Sequence, residues 1–125
     1  MIDVSDGLVA DLGHIAAASN VGMTIEAIRV PLFAELFAAV ESWGKDPIGF
    51  ACGSGEEYEL AFTVAGAREE AFQRFLPAAE KTLGHSITRI GQVTGAHGLA
   101  VIDGEGRPFP IARAGYAHQF AEANR

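Results

Sequence analysis

The chain has 125 residues, 49% of them hydrophobic, and a formal net charge of −7; this suffices for one domain with its own core and argues against a duplex nucleic-acid surface, which needs a basic patch. Its one cysteine, Cys52, excludes a disulfide framework within the chain and predicts a reducing, cytoplasmic setting. No apolar run approaches the ~20 residues of a membrane-spanning helix, and no signal peptide is visible, so neither nucleic acid nor membrane is an expected partner.

The first predicted elements are a strand and a helix joined by a short acidic turn. The opening letters "MIDV" are typical of a strand end. Residues 7–19 carry apolar side chains at helical spacing, namely Leu8, Leu12, Ile15 and Ala16. Ser5 or Asp6 is expected to cap the free N–H groups at the start of this helix.

The middle of the chain predicts two strands with a helix between them. The letters "MTIEAI" alternate as in a strand, and "VPLFAELFAAVESWG" predicts a helix that begins at Pro31 and ends at Gly44. The inward side chains of this helix are Leu32, Leu36, Ala39 and Val40. The letters "DPIGFACGSGEE" predict a loop with room for a short helical turn. "YELAFTV" is the clearest strand, with one face formed by Tyr58, Leu60, Phe62 and Val64.

The last third of the chain predicts a helix and two strands. Residues 68–83 form the helix, and its inward side chains are Phe72, Phe75, Leu76 and Ala79. The letters "SITRIGQVT" and "GLAVID" predict strands joined by "GAHG", and "DGEGRP" is typical of a hairpin turn. Strands that alternate with helices predict an α/β (α+β) sandwich, in which a mixed sheet packs against helices as a single domain over residues 1–125.

The turn "DVSDG" has the residue types of a cation and phosphate site. In an extended segment Asp3 and Ser5 point the same way, and the following turn can bring Asp6 back towards them. Carboxylate oxygens bind Mg²⁺, whereas a hydroxyl and backbone N–H groups at a helix N-terminus hold phosphate oxygens. The alternative is ordinary: Ser5 or Asp6 caps the helix and Asp3 is a surface residue.

A second candidate lies where "GSGEEYEL" changes from loop to strand. Glu56 and Glu57 stand at this boundary, which is a favoured edge for ligands in α/β sheets. Their carboxylates can accept hydrogen bonds from an amino-bearing or cationic substrate, and the alternative is a solvated strand end. The four histidines show no metal-ligand spacing, and His14 is expected on a helix surface.

Four segments, in this order, resemble the carboxy-terminal half of the thiamine-monophosphate kinases: "MIDVSDGLVADLGHIAAAS", "GSGEEYELAFTV", "RIGQVTG" and "GYAHQF". The first is specific, because the family pattern D-x-S-D-G-L followed by D-L-x-H-I is intact. The resemblance implies the fold of the C-terminal domain of the aminoimidazole ribonucleotide synthetase superfamily. It also implies a phosphotransferase in which ATP phosphorylates thiamine monophosphate to thiamine diphosphate with the help of several Mg²⁺ ions.

The resemblance further implies roles for individual residues. Asp3 would be a ligand for one Mg²⁺ ion and Asp6 a ligand for another, and Ser5 would contact ATP. Glu56, in the segment that matches the family motif G-G-E-D-Y-E-L, would contact the substrate. Tyr116, in the segment that matches G-Y-D-H-F, would be a second substrate contact, and its ring could stack on a heterocycle of thiamine.

The chain departs from the family pattern at both substrate motifs and in its extent. Ser54 stands in place of a glycine, Glu57 in place of an aspartate, and Ala117 in place of the aspartate of the last motif. In the family a preceding domain supplies most of the magnesium aspartates, much of the ATP site and the main homodimer interface. We therefore expect a truncated carboxy-terminal domain that is inactive as a kinase when alone and that exposes apolar surface.

Two alternatives to the partial kinase remain open. The chain could be the matching domain of a superfamily relative that uses another substrate, which comparative binding of the substrates would reveal. It could also be a stand-alone binding or interaction module that kept the fold and lost catalysis, as the altered "GSGEEYEL" and "GYAHQF" motifs suggest.

Overall fold

The computed structural model of the chain describes residues 1–53 and 59–111. Its strands and α-helices are, in chain order, β1 (Ile2–Val4), α1 (Leu8–Ala18), β2 (Gly22–Glu26), α2 (Ala34–Ser42), α3 (Pro47–Gly53), β3 (Glu59–Ala61), α4 (Glu69–Leu83), β4 (Gly91–Thr94) and β5 (Gly98–Ile102). Short 3₁₀ turns at Ala27–Arg29 and Gly66–Arg68 follow β2 and precede α4. Within the two described ranges, no helix has the length and apolar character that crossing a membrane requires.

The strands form two small sheets. Strand β1 pairs antiparallel with β3, and β2 lies between β4 and β5 in a three-stranded sheet. Because β4 runs antiparallel and β5 parallel to β2, the larger sheet is mixed. The predicted α/β (α+β) architecture, a mixed sheet packed with helices, is confirmed.

The link between β4 and β5 crosses the end of β2. Thr94 at the end of β4 and Gly98 at the start of β5 both pair with Gly22. The three linking residues therefore pass over Gly22, and a Cβ atom there would lie 1.7 Å from the carbonyl oxygen of Ala96. The two strands joined by "GAHG" are thus not hydrogen-bonded to each other, since glycine at the start of β2 leaves room for the crossing.

Helix α1 connects the two sheets through one apolar core. The core draws residues from β1, α1, β2, α3 and β5, and its members are Val4, Leu8, Leu12, Ala16, Met23, Ile25, Ala27, Val30, Ala51, Cys52 and Val101. Three of the four apolar side chains predicted on the inner face of this helix, those of Leu8, Leu12 and Ala16, are buried. Alternation in β2 likewise turns Met23 and Ile25 inward. The segment that carries the acidic turn is therefore anchored in the centre of the fold.

Three predicted strands are shorter in the structure. The strand predicted from "SITRIGQVT" begins at Gly91 and ends at Thr94. The strand predicted from "MTIEAI" ends at Glu26, and residues 27–29 turn into a 3₁₀ helix. The strand predicted from "YELAFTV" ends at Ala61, because β1 offers only three residues as partners, Ile2 to Val4. Phe62 and Val64 consequently follow the sheet instead of belonging to it, and Tyr58 lies outside the described residues.

Two helices differ from the prediction at their start or in their length. Helix α2 begins at Ala34 instead of Pro31. The predicted short turn is a seven-residue helix, α3, preceded by Asp46, whose carboxylate accepts hydrogen bonds from the backbone N–H groups of Ile48 and Gly49. An aspartate followed by proline is a strong helix start signal, and this signal explains why the segment is helical.

The predicted inner faces of α2 and α4 are only partly buried. In α2 Val40 is fully buried, whereas Leu36 is exposed. In α4 Ala79 is buried, but Phe75 is 61% exposed, so its predicted inward position is wrong. Helix α4 meets the chain after β3 through an edge-to-face contact between Phe72 and Phe62, 5.9 Å apart at the ring centres. The segment around Phe62 is too small to cover the whole apolar stripe of α4.

Candidate functional site

The acidic turn connects strand β1 to the first residue of α1. Val4 is buried in the core, whereas Asp3 and Ser5 on either side of it are exposed, as alternation in an extended segment requires. Gly7 then has φ 119° and ψ 148°, a region that side-chain-bearing residues rarely adopt. Asp6, between Ser5 and Gly7, is half-buried. The turn therefore presents the residues predicted to contact ATP and Mg²⁺ at the N-terminus of a helix.

The turn is fastened from inside the helix by Asp11. This side chain is the one buried charged group among the described residues, with 2% of its surface exposed. Its Oδ2 atom accepts hydrogen bonds from the backbone N–H of Ser5 at 2.7 Å and of Asp6 at 3.0 Å. Two charge-assisted bonds and the nearby helix N-terminus compensate for burying the carboxylate.

The prediction that Ser5 or Asp6 caps α1 is therefore wrong. A side chain of the turn was expected to accept hydrogen bonds from the helix, whereas a side chain of the helix accepts them from the turn. Neither side chain caps α1; the N-cap residue is Gly7, which has no side chain to offer. Instead a helix residue accepts the N–H groups of the turn, as the glutamate of a capping box reaches back to the N-cap. The side chains of Ser5 and Asp6 thus make no capping hydrogen bond to α1.

Asp6, Asp11 and His14 come close together at this helix end. One ligand atom from each lies within 4.8 Å of the other two, and Oδ1 of Asp11 is 3.7 Å from Nδ1 of His14. His14 is largely exposed, as predicted, but its ring reaches this group even though its spacing in the sequence gave no metal signal. Asp3 does not belong to the group.

The oxygen donors of the turn suit a hard cation such as Mg²⁺. Asp6 offers a half-buried carboxylate, and Asp3 offers an exposed one in the adjacent strand. Asp11 already uses Oδ2 for the backbone, and an imidazole is a poor ligand for Mg²⁺. The carboxylates of Asp3 and Asp6 are therefore of the residue type that Mg²⁺ prefers, and the two positions stay predictions as its ligands.

The pairing of β1 with β3 brings the second motif to the same place. Val4 pairs with Glu59 and Asp3 pairs with Leu60, and these two partners are the last residues of "GSGEEYEL". The chain therefore enters β3 beside the end of β1, where Ser5 and Asp6 follow. Glu56 and Tyr116, the predicted substrate contacts, lie outside the described residues, as do Ser54, Glu57 and Ala117.

Sequence reasoning missed Asp11, although a signal for it exists. Asp11 is three residues after Leu8 and four before Ile15, so it falls within the apolar stripe of the helix. A charged residue in such a stripe is buried only when it has partners. The backbone N–H groups of the preceding turn are the nearest donors, so the role to expect of Asp11 is to accept hydrogen bonds from that turn.

Comparison with known proteins identifies the family of the chain. Residues 1–104 match the family described as AIR synthase related protein, C-terminal domain. Thiamine-monophosphate kinase of Escherichia coli K12 is 39% identical over 118 residues, which cover 94% of this chain and 34% of that protein. The chain thus spans about a third of the length of this curated relative.

Solved structures give the same result. The structure described as AaThiL complexed with AMPPCP and TMP has a TM-score of 0.71 and 34% identity, with 94% of this chain and 32% of that chain covered. Thiamine-monophosphate kinase from Stenotrophomonas maltophilia has a TM-score of 0.70 and 35% identity, with 86% and 31% covered. The chain belongs to the family of AIR synthase related proteins and corresponds to their C-terminal domain.

Proposed function

We propose that this chain is the carboxy-terminal part of a thiamine-monophosphate kinase and supplies one side of the site for ATP, Mg²⁺ and thiamine monophosphate. The carrying observation is the β1–β3 register, which joins the "DVSDG" turn to the end of "GSGEEYEL". The relatives named above act as thiamine-monophosphate kinases, and one was solved with AMPPCP and TMP. The family match over residues 1–104 includes both motifs.

In this proposal each residue of the turn has a separate task. Asp3 would hold one Mg²⁺ ion and Asp6 another, and such ions would supply charge neutralisation for the phosphates, while Ser5 contacts ATP. Glu56 and Tyr116 contact thiamine monophosphate. Transfer of the γ-phosphoryl group depends mainly on position and charge neutralisation, which is consistent with a site made of carboxylates, a hydroxyl and backbone N–H groups.

The rest of the site is proposed to come from a preceding domain. The chain covers about a third of its relatives, and it exposes several large apolar side chains, among them Phe33, Trp43 and Phe75. Such surface is typical of a face covered by another part of a protein. We propose that the complete enzyme is a cytoplasmic homodimer and that the chain alone does not phosphorylate thiamine monophosphate.

The test replaces the aligned segment of the Escherichia coli kinase with this chain and measures thiamine diphosphate formed from ATP and thiamine monophosphate. The fusion is expected to be active, and Asp3→Asn with Asp6→Asn to lower kcat/KM by about a hundredfold or more, since a catalytic metal supplies several kcal/mol. Glu70→Gln is the control, because it removes an exposed carboxylate on α4, away from the turn.

Two results would contradict the proposal. One is a folded fusion that binds Mg²⁺–AMPPCP but forms no thiamine diphosphate. The other is a double aspartate variant as active as the Glu70→Gln control. Activity with the substrate of a superfamily relative, in place of thiamine monophosphate, would favour the alternative of a different kinase-like domain.

A further inference from the structure

We propose that Asp11 is the positioning residue of this site: it fixes the Ser5–Asp6 backbone in the shape that presents these residues to Mg²⁺ and ATP. This inference rests on the proposed function for its second half only. Its first half, the fixing of the turn, concerns the chain alone. No substrate or ion needs to touch Asp11 for it to act.

The geometry separates Asp11 from the residues that face a ligand. Asp11 is 2% exposed, whereas Ser5 is exposed and Asp6 half-buried. It belongs to α1, next to Leu12 in the core, so its position is set by packing. Within residues 1–53 and 59–111, Asp11 is the one side chain that hydrogen-bonds to the backbone of Ser5 and Asp6, while Gly7 adds conformational freedom and α1 has no side-chain N-cap. Because packing in the core holds Asp11 in place, its hydrogen bonds fix the position of the turn relative to the core.

Both hydrogen bonds end on the same oxygen, Oδ2, and this detail makes the proposal testable. One carbonyl oxygen can accept two N–H groups. Asp11→Asn can therefore keep both bonds without the charge, with its NH₂ group in the place of Oδ1 beside Nδ1 of His14. Asp11→Leu has a similar branched shape but no acceptor, so it leaves two N–H groups unpaired.

The first measurement is hydrogen exchange of the Ser5 and Asp6 amides by NMR in the chain and both variants. The two amides should be protected in the parent and in Asp11→Asn, and exchange at least about tenfold faster in Asp11→Leu. Val40→Ala, a cavity variant at a fully buried residue of α2, controls for a general loss of stability. In this variant the exchange rates of the Ser5 and Asp6 amides, relative to the exchange rates of the α1 amides, should stay as in the parent. Equal protection in Asp11→Leu and the parent would overturn the proposal.

The second measurement is the kcat/KM for Mg²⁺–ATP in the active fusion. Asp11→Asn should stay within about threefold of the parent, whereas Asp11→Leu should lose about tenfold or more because its turn is no longer held. An asparagine variant as impaired as the leucine variant would show that Asp11 acts through its charge and would overturn positioning. Failure of the proposed function differs: the parent fusion then makes no thiamine diphosphate although its Ser5 and Asp6 amides remain protected.

Discussion

Helices α1 and α4 both have an amphipathic pattern, yet they pack differently. Helix α1 has 11 residues, and four of them are buried, including Leu12 and Asp11. Helix α4 has 15 residues, of which Ala79 alone is buried. Helix α1 contacts strands of both sheets, whereas α4 meets the chain near Phe62. Apolar spacing thus indicates that a helix has an inner face, but the neighbouring elements decide how much of that face is covered.

This difference explains where a precise site can be built. A side chain on α1 is fixed by a core that reaches into both sheets, so Asp11 can hold the turn in one position. On α4 the ion pair between Glu70 and Arg74 is exposed, and such pairs add little stability. Sites that require accurate geometry are best placed on packed elements.

The largest expected effect compares a core residue of α1 with an apolar residue of α4. Leu12→Ala should lower the free energy of unfolding by about 2–5 kcal/mol, because Leu12 is 4% exposed and its loss leaves a cavity. Phe75→Ala should cost less than about 1 kcal/mol, because Phe75 is 61% exposed. Urea unfolding measures both. Similar costs would mean that the apolar face of α4 is covered in solution.

A second pair of variants compares the glycines at one end of each helix. Gly7→Ala should destabilise by about 1–3 kcal/mol, because φ 119° with ψ 148° is almost closed to alanine. Gly84→Ala, at φ 69° after α4, should cost about 1–2 kcal/mol, since left-handed helical geometry is less restrictive. Denaturant unfolding gives both values. The prediction fails if alanine is tolerated at position 7, since the turn could then adopt another shape.

The sequence predicts which segments form helices and strands better than it predicts which other segments pack against them or pair with them. The inner face of α1 follows from spacing, because Leu8 and Leu12 meet a core on both sides. The position of Phe75 does not follow, because spacing carries no information about which neighbour is present. The length of β3 was also not predictable, since it depends on a partner of three residues, Ile2 to Val4.

The candidate site shows the same limit. Asp3, Ser5 and Asp6 could be identified from residue types and from a family pattern, and they remain predictions as ligand contacts. Asp11 was missed because its partners are backbone N–H groups, which no letter of the sequence displays. Its place in an apolar stripe was the available sign.

A smaller, favourable effect is expected in the middle of α1. Gly13 is helical, and a Cβ atom there meets nothing within 4 Å. Gly13→Ala should therefore raise the free energy of unfolding by about 0.5–1 kcal/mol, since alanine loses less conformational entropy in a helix. Thermal unfolding detects this gain, and the Ser5 and Asp6 amides should keep their protection. A loss of stability would contradict the open surface at this position.

The smallest effect concerns Asp103, in the turn that follows β5. The backbone N–H of Arg107, more than any other contact, lowers the pKa of this carboxyl below its usual value of 3.8, with further hydrogen bonds from the Glu105 N–H and the Arg107 side chain.

Because the folded pKa is the lower one, the stabilisation by Asp103 is complete above the usual value and is lost as the pH falls through the folded value. Thermal unfolding of the parent and of Asp103→Asn should therefore differ at pH 6 and converge at the acid end, where the protonated carboxyl resembles the amide. If the difference in Tm between the two proteins is the same at pH 6 and at the acid end, the ionised carboxylate of Asp103 does not stabilise the turn after β5.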